Sequence, residues 1–167
     1  MREIAMAGRI AYIALGSNMG DRSETLGAAI AMLDQHPDVS VRCVSQMIVT
    51  EPVGGPEFQD DYLNAAAGIE TSLAPDELLA VLQDIERKLG RNRDIEQRWG
   101  PRTCDLDILL IGDVIMDSPE LTIPHPRMHQ RLFVLAPLNE IAGDAIHPVL
   151  NKTISALLAD LEERSDA

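Results

Sequence analysis

Asp105 and Asp107 lie two residues apart in the run Cys104–Ile111 (CDLDILLI), which is otherwise apolar. Positions i and i+2 of a strand share a face, so the two carboxylates project together while Leu106 and Ile108 turn into the core. Paired carboxylates on one sheet face are costly unless a cation lies between them. Hard oxygen donors of this kind suit Mg²⁺, which keeps several waters and completes its shell with phosphate oxygens. Taken alone, the pair reads equally well as two strand-edge aspartates bridged to arginines.

The residues leading into that strand favour the first reading. Arg98-Trp99-Gly100-Pro101-Arg102-Thr103 feeds directly into it, and Arg91 and Arg93 open the same polar loop. A guanidinium is a planar fork that can bond two phosphate oxygens at once. Four such groups beside two acidic metal ligands could neutralise and position a polyphosphate during in-line transfer. Downstream, Leu121-Thr122-Ile123-Pro124-His125-Pro126 and Arg131 add an imidazole and another cation. A histidine in a proline-rich loop is more often structural than functional, so His125 carries little weight alone. His36, His129 and His147 read as surface or capping residues, and Cys43 and Cys104 as small buried hydrophobes.

Gly16-Ser17-Asn18-Met19-Gly20 between a strand and a helix invites a phosphate-loop reading. It has neither the lysine nor the spacing of that motif, so it is expected to be mainly a tight turn and helix entry.

These groups need a scaffold, and the periodicities supply one. Arg9–Leu15 reads as a strand, 21–35 as a helix, Val39–Thr50 and Tyr62–Thr71 as strands, and 75–89 as an amphipathic helix with Pro75 in its first turn. Segments 51–61 and 91–103 are loops. Strand 104–111 is followed by a Gly112-Asp113 hairpin turn and a short return strand, Val114–Met116. Residues 119–126 form a loop, and 129–141 and 153–163 read as helices. The order β-α-β-β-α-β with a C-terminal helical addition predicts a ferredoxin-like α+β sandwich. It is expected to be one domain over residues 1–167, with its core at about 9–150.

Composition narrows the function classes. The net charge of −13 argues against nucleic acid or an anionic membrane as partner. Yet eight of the 14 basic residues fall between Arg87 and Arg131, the pattern of an acidic protein with a local anion to bind. A solvated charged face has the same composition. There is no apolar run of membrane-spanning length and no signal-peptide core near the N-terminus, so a cytoplasmic protein is expected, and a monomer because no long apolar surface stripe is left over.

At this point several segments together resemble one family. Arg98 to Leu109 (RWGPRTCDLDIL) is similar to the signature of 6-hydroxymethyl-7,8-dihydropterin pyrophosphokinases, enzymes of folate biosynthesis. Tyr12–Asn18, Thr50–Gly54, Asp61–Ala66 and Leu121–Pro126 agree in the family's order, and the resemblance spans about residues 10–150. It implies transfer of pyrophosphate from ATP to the hydroxymethyl group of the pterin, leaving AMP. Asp105 and Asp107 would hold two Mg²⁺ ions, and Arg91 and Arg102 would stabilise charge during transfer. Arg93 and Arg98 would assist phosphate binding, and Gln83, Glu86, Ile108, Thr122, His125 and Arg131 would line the ATP site. Thr50, Val53, Tyr62, Asn64, Trp99 and Phe133 would form the pterin pocket, Trp99 and Phe133 stacking on opposite ring faces. Dihydropteroate synthase would be a pathway neighbour. The chain departs from the family's pattern at Glu51, at Glu120 and in a 91–99 loop longer by one residue. The rival readings are another D-x-D phosphoryl or nucleotidyl transferase, separable by its products, and a non-catalytic ferredoxin-like binding module.

Overall fold

A computed structural model describes residues 8–51, 61–90 and 104–165. Its centre is a five-stranded antiparallel sheet in the order β2-β4-β1-β5, with β3 pairing with the far end of β4. The strands are β1 (Arg9–Ser17), β2 (Val39–Val44), β3 (Ile48–Thr50), β4 (Tyr62–Thr71) and β5 (Asp105–Ile111). Helices α1 (Arg22–Gln35) and α2 (Pro75–Lys88) cover one face. Asp21 caps α1, its carboxylate accepting the Glu24 N–H at 3.1 Å. Pro75 opens α2, and Glu77 accepts the Ala74 N–H at 3.0 Å. These are the α+β layers and the antiparallel ferredoxin-like sheet expected from the sequence.

Alternation divides the core in two. Ile13 and Leu15 of β1, Ala65, Ala67 and Ile69 of β4, and Leu106 and Ile108 of β5 face α1 and α2 with Leu26, Leu33, Leu78 and Leu82. Ala66, Leu109 and Leu110 face the other way, against α3 (Leu132–Ala142) and α4 (Ile154–Ser165). Leu109 and Leu110 can share a side because the β1–β5 register slips there: Ile13 pairs with Ile108 but Tyr12 pairs with Leu110. That bulge returns Ile111 to the first core.

Three local expectations are corrected. The strand expected over 39–50 is two, because three residues, 45–47, span the two β4 residues Ala65 and Ala66. Ser45 bridges the irregularity, giving its N–H to the Ala66 carbonyl and accepting the Ala66 N–H on its hydroxyl, both at 2.8 Å. The segment after β5 does not fold back on it. Gly112 has φ 49° and the chain turns, but Met116–Asp117 (β6) pairs with Thr122–Ile123 (β7) inside the expected loop. The helix expected from 129 begins as a short 3₁₀ turn, Met128–Gln130, and α3 starts only after Arg131, whose backbone is extended. A second small hairpin, β8 (Ile146–His147) with β9 (Lys152–Thr153), leads into α4.

Cys104 is buried as expected, whereas Cys43 is half-exposed. His36 ends α1 and accepts the Asp38 N–H on Nδ1, a capping role. His147 is buried rather than superficial, its Nδ1 accepting the Val149 and Leu150 N–H groups. Among the described residues no helix is long and apolar enough to cross a membrane.

Leu82 is wholly enclosed between α2 and the sheet. Leu82→Ala is expected to lower the unfolding free energy by about 2–5 kcal/mol in urea titrations, with an unchanged slope.

Candidate active site

The helix-free half of the sheet's second face is a cleft, and register accounts for its shape. Cα partners across a sheet share a face, so Asn64, Gly16 and Asp105 form one row and Ala66, Ala14 and Asp107 the next. The middle strand contributes only Gly16 and Ala14, which leaves a trough between taller side chains. With strands about 4.8 Å apart, Asn64 and Asp105 face each other across roughly 10 Å. The trough opens into a cavity of about 730 Å³, bounded by Thr50, Glu51 and Tyr62 on one side and by Asp105, Asp107 and Leu109 on the other. His125, Arg127, Gln130, Arg131 and Phe133 close its end.

Gly16 is thus a strand residue on the cleft floor rather than part of a turn. A Cβ there would come within 3.1 Å of Asn64 Oδ1 and 3.7 Å of the Tyr62 ring. The Asn64 amide N–H donates to Thr50 Oγ1, which fixes the side chain and leaves Oδ1 lying over Gly16.

The opposite wall is ionic. Asp105 and Asp107 project from β5 on the cleft side, as alternation requires, with Leu106 and Ile108 in the helix-side core. Arg127 and Arg131 face them across the end of the cavity, and the Arg131 guanidinium carbon lies 5.6 Å from the centre of the Phe133 ring. His125 stands between. Its backbone N–H donates to the Leu109 carbonyl at 3.0 Å, and its Nδ1 accepts the Arg127 N–H at 3.1 Å. Burial, with help from the charges of Arg131 and Arg127 and against that of Asp105, pushes its pKa down to about 4. At neutral pH the ring is therefore uncharged, and because Nδ1 accepts, the proton is on Nε2, where it can be donated to an anionic oxygen.

Among the described residues no cluster of three or more histidine, cysteine or acidic side chains could by itself cage a metal ion. The donor set still fits Mg²⁺, which is commonly held by one or two carboxylates with substrate phosphates and water supplying the rest.

Of the residues expected from the sequence, Thr50, Tyr62, Asn64, Asp105, Asp107, His125, Arg131 and Phe133 meet at this cavity. Four others lie away from its lining. Ile108 faces the helix-side core, Thr122 on β7 bonds Asp117, and Gln83 and Glu86 belong to α2. Val53, Arg91, Arg93, Arg98, Trp99 and Arg102 fall outside the described residues. Arg127 and Gln130 also line the cavity without having been expected there, and Glu51, a departure from the family's pattern, lies on its rim. Arg127 could have been found from its place two residues after His125.

Comparison with known proteins gives the family. Residues 12–143 match the model of the family described as 7,8-dihydro-6-hydroxymethylpterin-pyrophosphokinase. The chain belongs to that family. The 2-amino-4-hydroxy-6-hydroxymethyldihydropteridine pyrophosphokinase of Bacillus subtilis (strain 168) is 56% identical over 132 residues, 79% of this chain and 77% of that protein. The protein of the same name from Haemophilus influenzae is 49% identical over 138 residues, 83% of this chain and 84% of its own length. A solved structure described as HPPK-DHPS in complex with substrates superposes with a TM-score of 0.73 over 95% of this chain and 44% of that one. At 13% identity it speaks for the fold alone.

The His125 environment gives a direct test. In the folded protein its ring stays uncharged as pH falls through the ordinary histidine range near 6.5, whereas in the unfolded chain it takes up a proton there. Its contribution to stability is therefore complete above about pH 6.5 and is lost progressively down to about pH 4. NMR titration should show the His125 Cε1–H shift flat from about pH 8 to 5.5; a midpoint near 6.5 would contradict the buried, neutral assignment.

Proposed function

We propose that this cleft transfers the terminal diphosphate of ATP to the hydroxymethyl group of 6-hydroxymethyl-7,8-dihydropterin, releasing AMP, as a step of folate biosynthesis. Family membership supports the reaction type, pyrophosphoryl transfer to that pterin. The observation that carries the reading is the pair of rows across the sheet. A trough floored by Gly16 and Ala14 has hydrogen-bonding and aromatic groups on one wall and two carboxylates on the other. A flat heterocycle and a polyphosphate can then lie side by side, within reach of one another.

On the first wall, Asn64 Oδ1, held by Thr50, accepts from the N–H groups of the pterin, Tyr62 borders it, and Phe133 stacks on one ring face. Val53 and Trp99 complete this pocket. On the second wall, Asp105 and Asp107 would hold two Mg²⁺ ions. When bound, these neutralise phosphate charge and lower the pKa of the attacking hydroxyl. The neutral His125 donates Nε2–H to a nucleotide oxygen, and Arg131 supplies positive charge beside it. Arg91 and Arg102 stabilise charge during transfer, with Arg93 and Arg98 assisting.

In the reaction the pterin hydroxyl oxygen bonds to the β-phosphorus as the bond from that phosphorus to the bridging oxygen of the α-phosphate breaks. AMP leaves with that oxygen, and the hydroxyl proton passes to solvent. Closure of segments 51–61 and 91–103 over both substrates is part of this reading. We place the activity in one cytoplasmic, monomeric domain. The bifunctional protein FolKE of Lactococcus lactis, 43% identical over 130 residues, 78% of this chain and 36% of that protein, shows that a relative can carry a second function in one chain. Dihydropteroate synthase is here a pathway neighbour that receives the product.

Incubation with ATP, Mg²⁺ and the pterin should give pterin-dependent AMP with no ADP by ³¹P NMR. ADP would mean a simple kinase, and no turnover would leave a binding module. Asp107→Ala is expected to lower kcat by about 100-fold or more while pterin affinity, measured by calorimetry without nucleotide, stays within about twofold.

A further inference from the structure

We infer that Glu86 is a positioning residue for the aspartate pair: its carboxyl group grips the backbone of Leu106 and so sets the spacing and direction of Asp105 and Asp107. The inference rests on the proposal that these two carboxylates hold the metal. It differs from the expectation that Glu86 simply lines the nucleotide site, since it acts through the strand.

Among the described residues, strand β5 is the last in the sheet and pairs only with β1. In an antiparallel ladder, alternate residues direct their backbone groups to the neighbour and the others direct theirs outward. Leu106, between the aspartates, is of the second kind, because its N–H goes to Glu86 Oε2 at 2.9 Å. Glu86 is on α2, next to the core residue Ile85, and is only 1% exposed. Leu106 and the α2 residues Leu78, Leu82 and Ile85 pack in one apolar cluster, so this bond is made where water does not compete. A buried acidic side chain on an otherwise apolar helix face is costly without a purpose. Here it takes the place of a neighbouring strand at Leu106.

Three residues on, the Leu109 carbonyl accepts the His125 N–H. The outer rim of β5 is therefore held at Leu106 and at Leu109, on either side of Asp107. Releasing the first anchor would let the backbone between the carboxylates move without unfolding the sheet. Groups that orient metal ligands in this way typically change metal affinity by 10–100-fold when removed.

The test compares the wild-type chain with Glu86→Gln, whose amide oxygen can still accept the Leu106 N–H, and Glu86→Leu, which fills similar space and cannot. Two quantities are read in each: hydrogen exchange of the Leu106 amide by ¹⁵N NMR, and Mn²⁺ affinity by electron paramagnetic resonance with a non-hydrolysable ATP analogue present. Glu86→Leu is expected to lose amide protection and to weaken Mn²⁺ binding about tenfold or more, and Glu86→Gln to stay within about threefold on both. Pterin affinity should not change in either. A folded variant in which one quantity moves without the other overturns the inference. Should Glu86→Leu fail to fold, Glu86→Gln decides alone: tenfold weaker Mn²⁺ binding with the amide still protected would show that charge, not the backbone bond, is what matters. If the wild-type chain binds no Mn²⁺ with the analogue, the function proposed above fails and this inference with it. If the wild type binds and the variants are uncoupled, only this inference fails.

Discussion

Strand β5 has to satisfy two faces and one open edge with seven residues. Its helix-side face must be apolar to close the core, and Leu106 and Ile108 are. Its other face carries Asp105 and Asp107, which a continuous core could not tolerate. An edge strand with acidic groups at its start can border solvent there, and the bulge at Leu109 lets the same strand become wholly apolar where α3 and α4 cover it. Moving β5 inward by one strand would flank the aspartates with a hydrogen-bonded strand on each side. The position of the chemistry follows from this constraint.

The cleft is equally a matter of what is small. Had the middle strand carried large side chains where it has Ala14 and Gly16, the second face would fill and the aspartates would look onto a packed surface. Opposite charges meet in the resulting space: two carboxylates on β5 and Glu51 opposite, two arginines at its end, and a histidine that burial and those arginines hold uncharged. The α3 helix begins beside the same space, and the positive end of its dipole further favours anions there. An acidic chain can thus offer a local anion site without a basic surface.

Much of this was legible from residues alone. The D-x-D in an apolar strand specified its own geometry, because period-2 alternation leaves no freedom about which side chains share a face. The second helix declared itself through Pro75 and the spacing of Leu78, Leu82 and Ile85. Other features depend on pairings between distant segments. Nothing local in Gly112-Asp113 shows that the next residues will pair with 122–123 rather than return along β5. The split at Ser45 arises because β4 uses two residues where its partner uses three. Gly16 looked like turn chemistry beside Gly20, and only its register opposite Asn64 and Asp105 shows it to be floor. Glu86 fits the helical repeat of α2, which concealed that its carboxyl group serves the neighbouring strand.

Whether the two carboxylates of β5 hold metal against a polyphosphate is tested most directly by crystallography. Crystals grown with Mn²⁺, a non-hydrolysable ATP analogue and the pterin would be measured at the manganese edge. Two anomalous peaks within about 2.3 Å of Asp105 and Asp107 carboxylate oxygens, each also touching phosphate oxygens, are the predicted result. Nucleotide bound with no peak at either aspartate, or with metal held only elsewhere, would contradict it.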